Sequence, residues 1–354
     1  RVLFRSLHER AEDFQLPVGQ AQDISFMNEM WITMNLTACH AWVQHRICQF
    51  DPRPRMPVAP RAQLTDRKGF AKMAATLHRP GGFVKMHGAG NDFIIFDGRA
   101  RPFRPTPAEA ASLCARHTGV GGDQVLVLES PQAEGTDIRL RIYNTDGQES
   151  QTCLNATRCV AWLLLQQTGA DTVRIGTLGG VIEAQIKGDH TVCLRQPAAR
   201  LDWQSVPLAE PRDALDVGLT AGPLTARVAM SMGNPHLVCF VPALDEIDVP
   251  RWAAVLQDDP LLPEGANVGV AEIIDDGHMR LVVWERPGML TMACGSGACA
   301  ALVAARRLGL TTANAMQIFM PGGKLAVREE QDGTLFLTGP VAVSFLGQLT
   351  ETVA

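Results

Sequence analysis

From residue 82 onward, apolar and polar positions fall into short, well-punctuated blocks. Residues 93–97 (FIIFD) and 125–129 (VLVLE) are continuous apolar runs that read as buried strands, and 138–143 (IRLRIY) alternates as a half-exposed strand does. Thr106-Pro-Ala-Glu109 is a capping box with Pro at the first helical position, which predicts a helix over 107–117. Residues 155–168 are apolar at helical spacing and stop at Gly169. Short strands follow at 181–186 and 191–195, joined by a turn at Gly188-Asp189. The plan then recurs: strands at 225–231, 237–241, 270–274 and 279–284, a helix at 296–308 closed by Gly309, and strands at 325–328, 334–338 and 341–345. The helices at 155–168 and 296–308 are apolar nearly all round, which predicts burial within a sheet rather than a surface position. The predicted architecture is an α+β duplication.

No sustained strand or helix period stands out before residue 51, and residues 1–80 read differently from the rest. The Pro-rich stretch at 51–60 (DPRPRMPVAP) reads as a linker. The segment reads as a poorly ordered extension or as sequence upstream of the functional start, with Met73 as a candidate start. Cys39, His40, His45 and Cys48 resemble zinc ligands in type, but their C-x8-C spacing fits no common structural zinc pattern, so no metal is expected.

Composition narrows the function. The 354 residues are 46% hydrophobic and 19% charged, as in a globular chain of two or more domains. Lys+Arg is 32 and Asp+Glu 37, a net charge of −5, which offers no basic footprint for nucleic acid or an anionic membrane. No apolar run approaches the ~20 residues of a membrane helix, and the charged first ten residues do not form a signal peptide's apolar core. The nine cysteines are odd in number and loosely spaced, which argues against a disulfide framework and for reduced thiols in the cytoplasm. No Walker A or dinucleotide-binding glycine motif is present in a suitable setting, so no nucleotide cofactor is expected.

The strongest internal echo lies at the starts of the two buried helices: Cys153-Leu-Asn-Ala-Thr-Arg-Cys159 and Cys294-Gly-Ser-Gly-Ala-Cys299. A helix N-terminus offers unpaired N–H groups and a positive dipole end. A thiol there can have its pKa lowered, and the same N–H groups can hold a carboxylate. Two such helices facing each other would set one carboxylate between two thiols. One thiolate could then remove a proton from the adjacent carbon and the opposite thiol return one, inverting the centre without an organic cofactor. The plainer reading, cysteine as a small buried hydrophobe, suits Cys114, Cys159, Cys193, Cys239 and Cys299. The duplicated placement singles out Cys153 and Cys294. Polar residues cluster at strand ends in both halves: Asn91 in a glycine-rich turn, Gln124, Asn144, Asn234 with His236, Asn267, and Glu285 with Arg286. Such a set suits a small zwitterion better than a nucleotide.

KMHGAGNDF, GGDQ, YNTDG, CLNATRC, GNPH, NVG, ER and ACGSGAC occur in this order from about Phe83 to the C-terminus, and as a set they resemble the diaminopimelate epimerase family, cofactor-independent enzymes of lysine and peptidoglycan-precursor synthesis. The resemblance implies an α+β fold of two pseudo-symmetric domains, each a barrel-like, antiparallel-rich sheet around a central helix. The domains would be 81–197 plus 340–354 and 198–339, with residues 1–80 as an extension. It implies interconversion of LL- and meso-diaminopimelate in a cleft between the domains, with Cys153 and Cys294 as base and acid. Asn155 and the N–H groups of Leu154, Gly295 and Ser296 would hold the reacting carboxylate. Asn144, Asn234, Asn267 and Arg286, with Glu285 nearby, would read the distal end; Asn91 and Gln124 match further substrate contacts; His236 and Glu285 would tune the thiols. No cofactor and a homodimer are implied. The chain departs from the family at Leu154, where Gly is usual, at Pro287 after Glu-Arg, and at Gly269. Leu154 adds bulk beside the carboxylate, so Leu154→Gly is expected to raise kcat/KM. Two alternatives keep the scaffold: a proline racemase-like enzyme, and a non-catalytic binding protein.

Overall fold

The computed structural model describes residues 67–286 and 288–350. The Pro-rich linker, the Cys39/His40/His45/Cys48 set and Pro287 lie outside the described residues. In chain order the elements are α1 (Arg67–Leu77), β1 (Gly82–Gly88), β2 (Asn91–Asp97), α2 (Pro107–Cys114), β3 (Gln124–Glu129), β4 (Ile138–Asn144), α3 (Leu154–Thr168), β5 (Thr172–Thr177), β6 (Gly180–Gly188) and β7 (Thr191–Gln196). Then come β8 (Leu219–Ala221), β9 (Leu224–Ser231), β10 (Pro235–Phe240), α4 (Val249–Gln257), β11 (Asn267–Asp275), β12 (His278–Glu285), β13 (Met289–Leu290), α5 (Gly295–Arg307), β14 (Ala315–Met320), β15 (Gly323–Glu329), β16 (Leu335–Pro340) and β17 (Ala342–Gln348).

The pairing repeats strand for strand. β1 to β7 join by antiparallel, parallel, antiparallel, parallel, antiparallel and antiparallel ladders. The strands β9, β10, β11, β12, β14, β15 and β16 repeat that series. Parallel neighbours need a crossover connection, and each of the four is made by a helix: α2 and α3 in the first half, α4 and α5 in the second. β7 pairs with β16 to join the halves, and β17 returns to pair with β1. The register fixes which residues correspond. Phe93 lies opposite Gln124 as His236 lies opposite Asn267. Gln124 lies opposite Asn144, and Val268 opposite Trp284. Asn91 therefore corresponds to Asn234, Gln124 to Asn267 and Asn144 to Glu285.

Each central helix is enclosed as its sequence predicts. α3 is buried from Leu154 to Leu165, and α5 is buried throughout Gly295–Ala305 except at Ser296. Both contribute to one core that runs through the two halves, with Cys159 and Cys299 inside it. α2 covers a smaller core of Ile94, Phe96, Val125 and Val127, and α4 covers its counterpart of Leu237, Cys239, Val268 and Val270. The helix ends are locally encoded. Thr106 and Glu109 complete the capping box, and Gly169 closes α3 in the left-handed conformation. Beyond α5, Leu310 N donates to Ala305 O at 2.9 Å and Gly309 N to Arg306 O at 3.1 Å, a Schellman closure. Among the described residues, no helix is long and apolar enough to cross a membrane, and no group of metal-binding side chains gathers.

Three expectations change. The helix predicted over 107–117 ends at Cys114, where the chain turns so that Arg116 can pair with Asp92 and Asp123. Asn267, expected before a strand, opens β11. The segment ahead of residue 81, read as part of a poorly ordered extension, forms α1 from residue 67. Its Phe70, Met73 and Leu77 follow helical spacing and dock on the core, with the Phe70 ring 5.3 Å from Trp162. The period was missed because only three apolar anchors carry it across polar neighbours. Met73 is a core residue in mid-helix. Met73→Ala is expected to cost about 2–5 kcal/mol of unfolding free energy in a urea titration; a loss under about 0.5 kcal/mol would show that α1 does not dock.

Candidate active site

Cys153 and Cys294 are the N-cap residues of α3 and α5, both with extended backbones (φ −145° and −126°). The helix starts abut. A Cβ added at Gly295 would lie 2.9 Å from Leu154 Cβ and 2.8 Å from Leu337 Cδ2. Asn155 bridges the same junction: its Nδ2 donates to the carbonyl of Ala293 (2.8 Å), the residue before Cys294, and to Asn91 Oδ1 (3.1 Å). Its Oδ1 accepts from Arg158 Nη2 at 2.7 Å. The Asn155 side chain is thus committed to protein partners, and what remains for a ligand at this position is the helix-start backbone.

The strand-end residues gather around this junction in two pseudo-symmetric sets. On the first, Cys153 Sγ lies 3.7 Å from Asn91 Oδ1, and Gln124 Nε2 donates to Asn144 Oδ1 at 2.8 Å. Gln124 Oε1 and Thr152 Oγ1 are buried without a hydrogen-bond partner. On the second, Cys294 Sγ accepts from Gly297 N at 3.3 Å and lies 3.5 Å from Ser296 Oγ. His236 Nε2 lies 3.0 Å from Ser296 Oγ and 3.1 Å from Asn234 Oδ1, so His236 reaches the thiol through Ser296. Asn267 Oδ1 accepts from Arg286 N at 2.9 Å. Glu285 Oε1 accepts from Thr291 Oγ1 at 3.1 Å, and the Glu285 charge acts on both thiols. Arg286 alone stands at the rim: its side chain is exposed and its Nη1 donates to the Glu264 carbonyl at 2.8 Å.

The electrostatics overturn one expectation. The helix ends were expected to lower the thiol pKa values. Burial instead pushes Cys153 up to about 12, with the N–H groups of Ala156 and Asn155 and the Arg158 charge pulling back against burial and Glu285. Burial raises Cys294 well above the ordinary thiol range, and Glu285 adds to it. Desolvation of a thiolate outweighs a helix end whose field acts over one turn. Burial likewise raises the Glu285 carboxyl and lowers His236 to about 3, so the imidazole is neutral at pH 7. Both thiols, Glu285 and His236 each rest in the less charged form or are drawn toward it.

Sequence reading missed the charges behind Asn91. Asn91 Nδ2 donates to Asp123 Oδ2 at 2.7 Å, and Arg116 Nη2 reaches Asp123 Oδ1 (2.7 Å) and Asp92 Oδ1 (2.8 Å). Buried Lys85 pairs with Asp92 from β1. Burial would raise the Asp92 carboxyl, but Arg116 and Lys85 outweigh it and hold it near 2. It also missed Arg158, fully buried on α3. The available signal was an arginine within an otherwise apolar helix.

The diaminopimelate epimerase family model matches residues 83–200 and 228–344. The chain is 47% identical over 267 residues to the diaminopimelate epimerase of Acidiphilium cryptum (strain JF-5), covering 75% of this chain and 95% of that one. It is 44% identical over 271 residues to that of Rhodospirillum centenum (strain ATCC 51521 / SW), covering 77% and 93%. The chain belongs to the diaminopimelate epimerase family. It shares its fold with a hydroxyproline epimerase from Agrobacterium vitis solved with bound trans-4-hydroxy-L-proline (16% identity, TM-score 0.56, covering 76% of this chain and 90% of that one). A Bacillus anthracis phenazine biosynthesis protein of the PhzF family has the same fold (16% identity, TM-score 0.54, covering 76% and 98%). At these identities the likeness is one of fold.

Against that family background, Leu154 is the departure the structure explains. It is the first residue of α3, where no positive φ is required, and its side chain is buried against Gly295. Gly269 sits in β11, where an added Cβ would meet Leu281 and Leu237 at ordinary contact distance. Leu154 therefore fills the helix junction rather than crowding an open cleft. Leu154→Gly is expected to cost about 2–5 kcal/mol through the cavity it leaves, and to lower kcat/KM through a looser junction. Thermal melts and steady-state kinetics check both; a stable variant with raised kcat/KM would show that Leu154 obstructs the site.

Proposed function

We propose that the chain interconverts LL- and meso-diaminopimelate by moving a proton at the α-carbon between Cys153 and Cys294, in lysine and peptidoglycan-precursor synthesis. The observation that carries this reading is the junction itself: two helix N-termini, each capped by a cysteine, brought into contact at Leu154 and Gly295 in a member of this family. The substrate carboxylate sits on the N–H groups of Leu154, Asn155, Gly295 and Ser296. Charge that develops on that carboxylate when the α-proton leaves is stabilised by the same fixed dipoles. One thiolate removes the proton from one face and the opposite thiol delivers one to the other face. Burial holds both thiols as S–H in the free protein; Glu285, whose charge acts on Cys294, is an acceptor for its proton. His236 stays neutral and orients Ser296. Asn144, Asn234, Asn267 and Gln124 contact the distal amino-acid end, and Arg286 exchanges Glu264 for the distal carboxylate, which its planar fork can bind bidentately.

Two further parts of the reading rest on the fold. The repeated pairing supports domains at 81–197 plus 340–354 and at 198–339, with α1 packed on the first. A homodimer is supported by β17, whose one described neighbour is β1 and whose sequence AVSFLGQ carries no charge and exposes Phe345. The free cysteines among the described residues accord with a reducing cytoplasm.

Cys153→Ala and Cys294→Ala are each expected to lower kcat about 10³-fold or more, and turnover in D2O should place deuterium at the inverted carbon. Full turnover without either thiol would refute the two-base reading, and inversion of free proline but not of diaminopimelate would reassign the substrate. Phe345→Asp is expected to shift gel-filtration elution from dimer to monomer; an unchanged elution volume would remove β17 from the interface.

A further inference from the structure

Arg158 is a charge with almost nothing to hold it. It is 0% exposed; its Nη2 donates to Asn155 Oδ1, while its Nε and Nη1 have no hydrogen-bond partner. Among the described residues no carboxylate pairs with it, and the groups that would favour its charged form are Cys159, Cys153 and Cys299, each only as a thiolate. The fold nevertheless makes room for it. A Cβ at Gly339 would lie 2.9 Å from Arg158 Nε, and one at Gly88 would lie 3.2 Å from its Nη2. A buried ion left so poorly compensated is destabilising, and its field is available to any anion that forms nearby. Of the three thiols, Cys153 alone keeps partial exposure and lines the site.

A hydrogen-bond chain links the guanidinium to the surface. Asn155 gives Nδ2 to the Ala293 carbonyl and to Asn91 Oδ1, which fixes its amide and leaves Oδ1 to accept from Arg158. At the far end the Asp123 carboxylate can only accept, so Asn91 must give it Nδ2. Asn91 Oδ1 is thereby left facing Cys153 Sγ. The thiol meets this acceptor, to which it donates as S–H, rather than the Asn91 side-chain N–H, which would favour a thiolate. Arg116 clamps Asp123 in place.

We propose that Arg158 and Asp123 are positioning residues that act on Cys153 with opposite sign: Asp123, through Asn91, holds the thiol protonated, and Arg158 favours the thiolate. The significance for turnover rests on Cys153 being a reacting thiol, as argued above. The charged groups that face Cys153 are Arg158 on its own helix and Glu285 at the end of β12, the latter opposing ionisation.

The test is the rate of Cys153 alkylation by iodoacetamide from pH 7 to 9, read by peptide mass spectrometry on substrate-free full-length protein. Arg158→Met should slow labelling about tenfold at each pH, one pKa unit, without lowering Tm, since an unpaired buried charge has been removed. Arg158→Lys should restore the rate to within about threefold, and Asp123→Asn should raise it about threefold or more, threefold being about half a pKa unit by the same conversion. Wild-type labelling rates in Arg158→Met, or shifts of the same sign at both ends, would overturn the proposal. Asp123 lies at the surface end of the chain, so if Arg158→Met does not fold, unchanged or slower labelling of Asp123→Asn overturns it alone. Labelling shifts as expected in a protein that fails to invert diaminopimelate would sink the proposed function and leave this inference standing.

Discussion

The arrangement depends on two helix N-termini being held end against end. Each start carries unpaired N–H groups that a protein ordinarily covers with a capping side chain. Here the cap positions hold cysteines, and Cys153 makes no capping hydrogen bond. The exposed dipoles are tolerated because the sheet wraps both helices in one apolar core and leaves their starts at a common seam. The contact of Leu154 with Gly295 and the Asn155 to Ala293 hydrogen bond lock that seam from both sides. The strand-end amides inherit their positions from the repeated ladder register, so the polar ring follows from the same duplication that places the thiols.

Burial gives this seam an unusual resting state. His236 is neutral, Glu285 is drawn toward its acid form, and both thiols are held as S–H. Arg158 is the charge that burial has not removed. A carboxylate entering the seam would meet helix dipoles and a guanidinium with few competing anions, and its arrival would change the field that each thiol feels.

Much of the fold was legible in the sequence because local chemistry marks it. The capping box at Thr106, the left-handed Gly169 and the closure at Gly309 fix helix ends within a few residues, and the near-uniform apolarity of 155–168 and 296–308 told of enclosure. The duplicated cysteine placement singled out the junction. What stayed hidden was non-local. α1 rests on three anchors whose partner, Trp162, lies far along the chain. Asp123 and Arg116 read as ordinary turn charges until the fold sets them behind Asn91. The thiol pKa values were misjudged because a helix end is visible in sequence, whereas the desolvation that opposes it exists only after packing. Leu154 looked like an obstruction for the same reason: its complement, Gly295, is 141 residues away in sequence.

That last pair has an evolutionary corollary. The volume at the junction is shared, with a protrusion on one helix answered by a hollow on the other. Any side chain at 295 would collide with Leu154 Cβ and with Leu337. The two positions therefore cannot drift independently. A lineage could carry leucine at 154 only while glycine persisted at 295, so the pair forms an epistatic lock in which each residue constrains the substitutions open to the other.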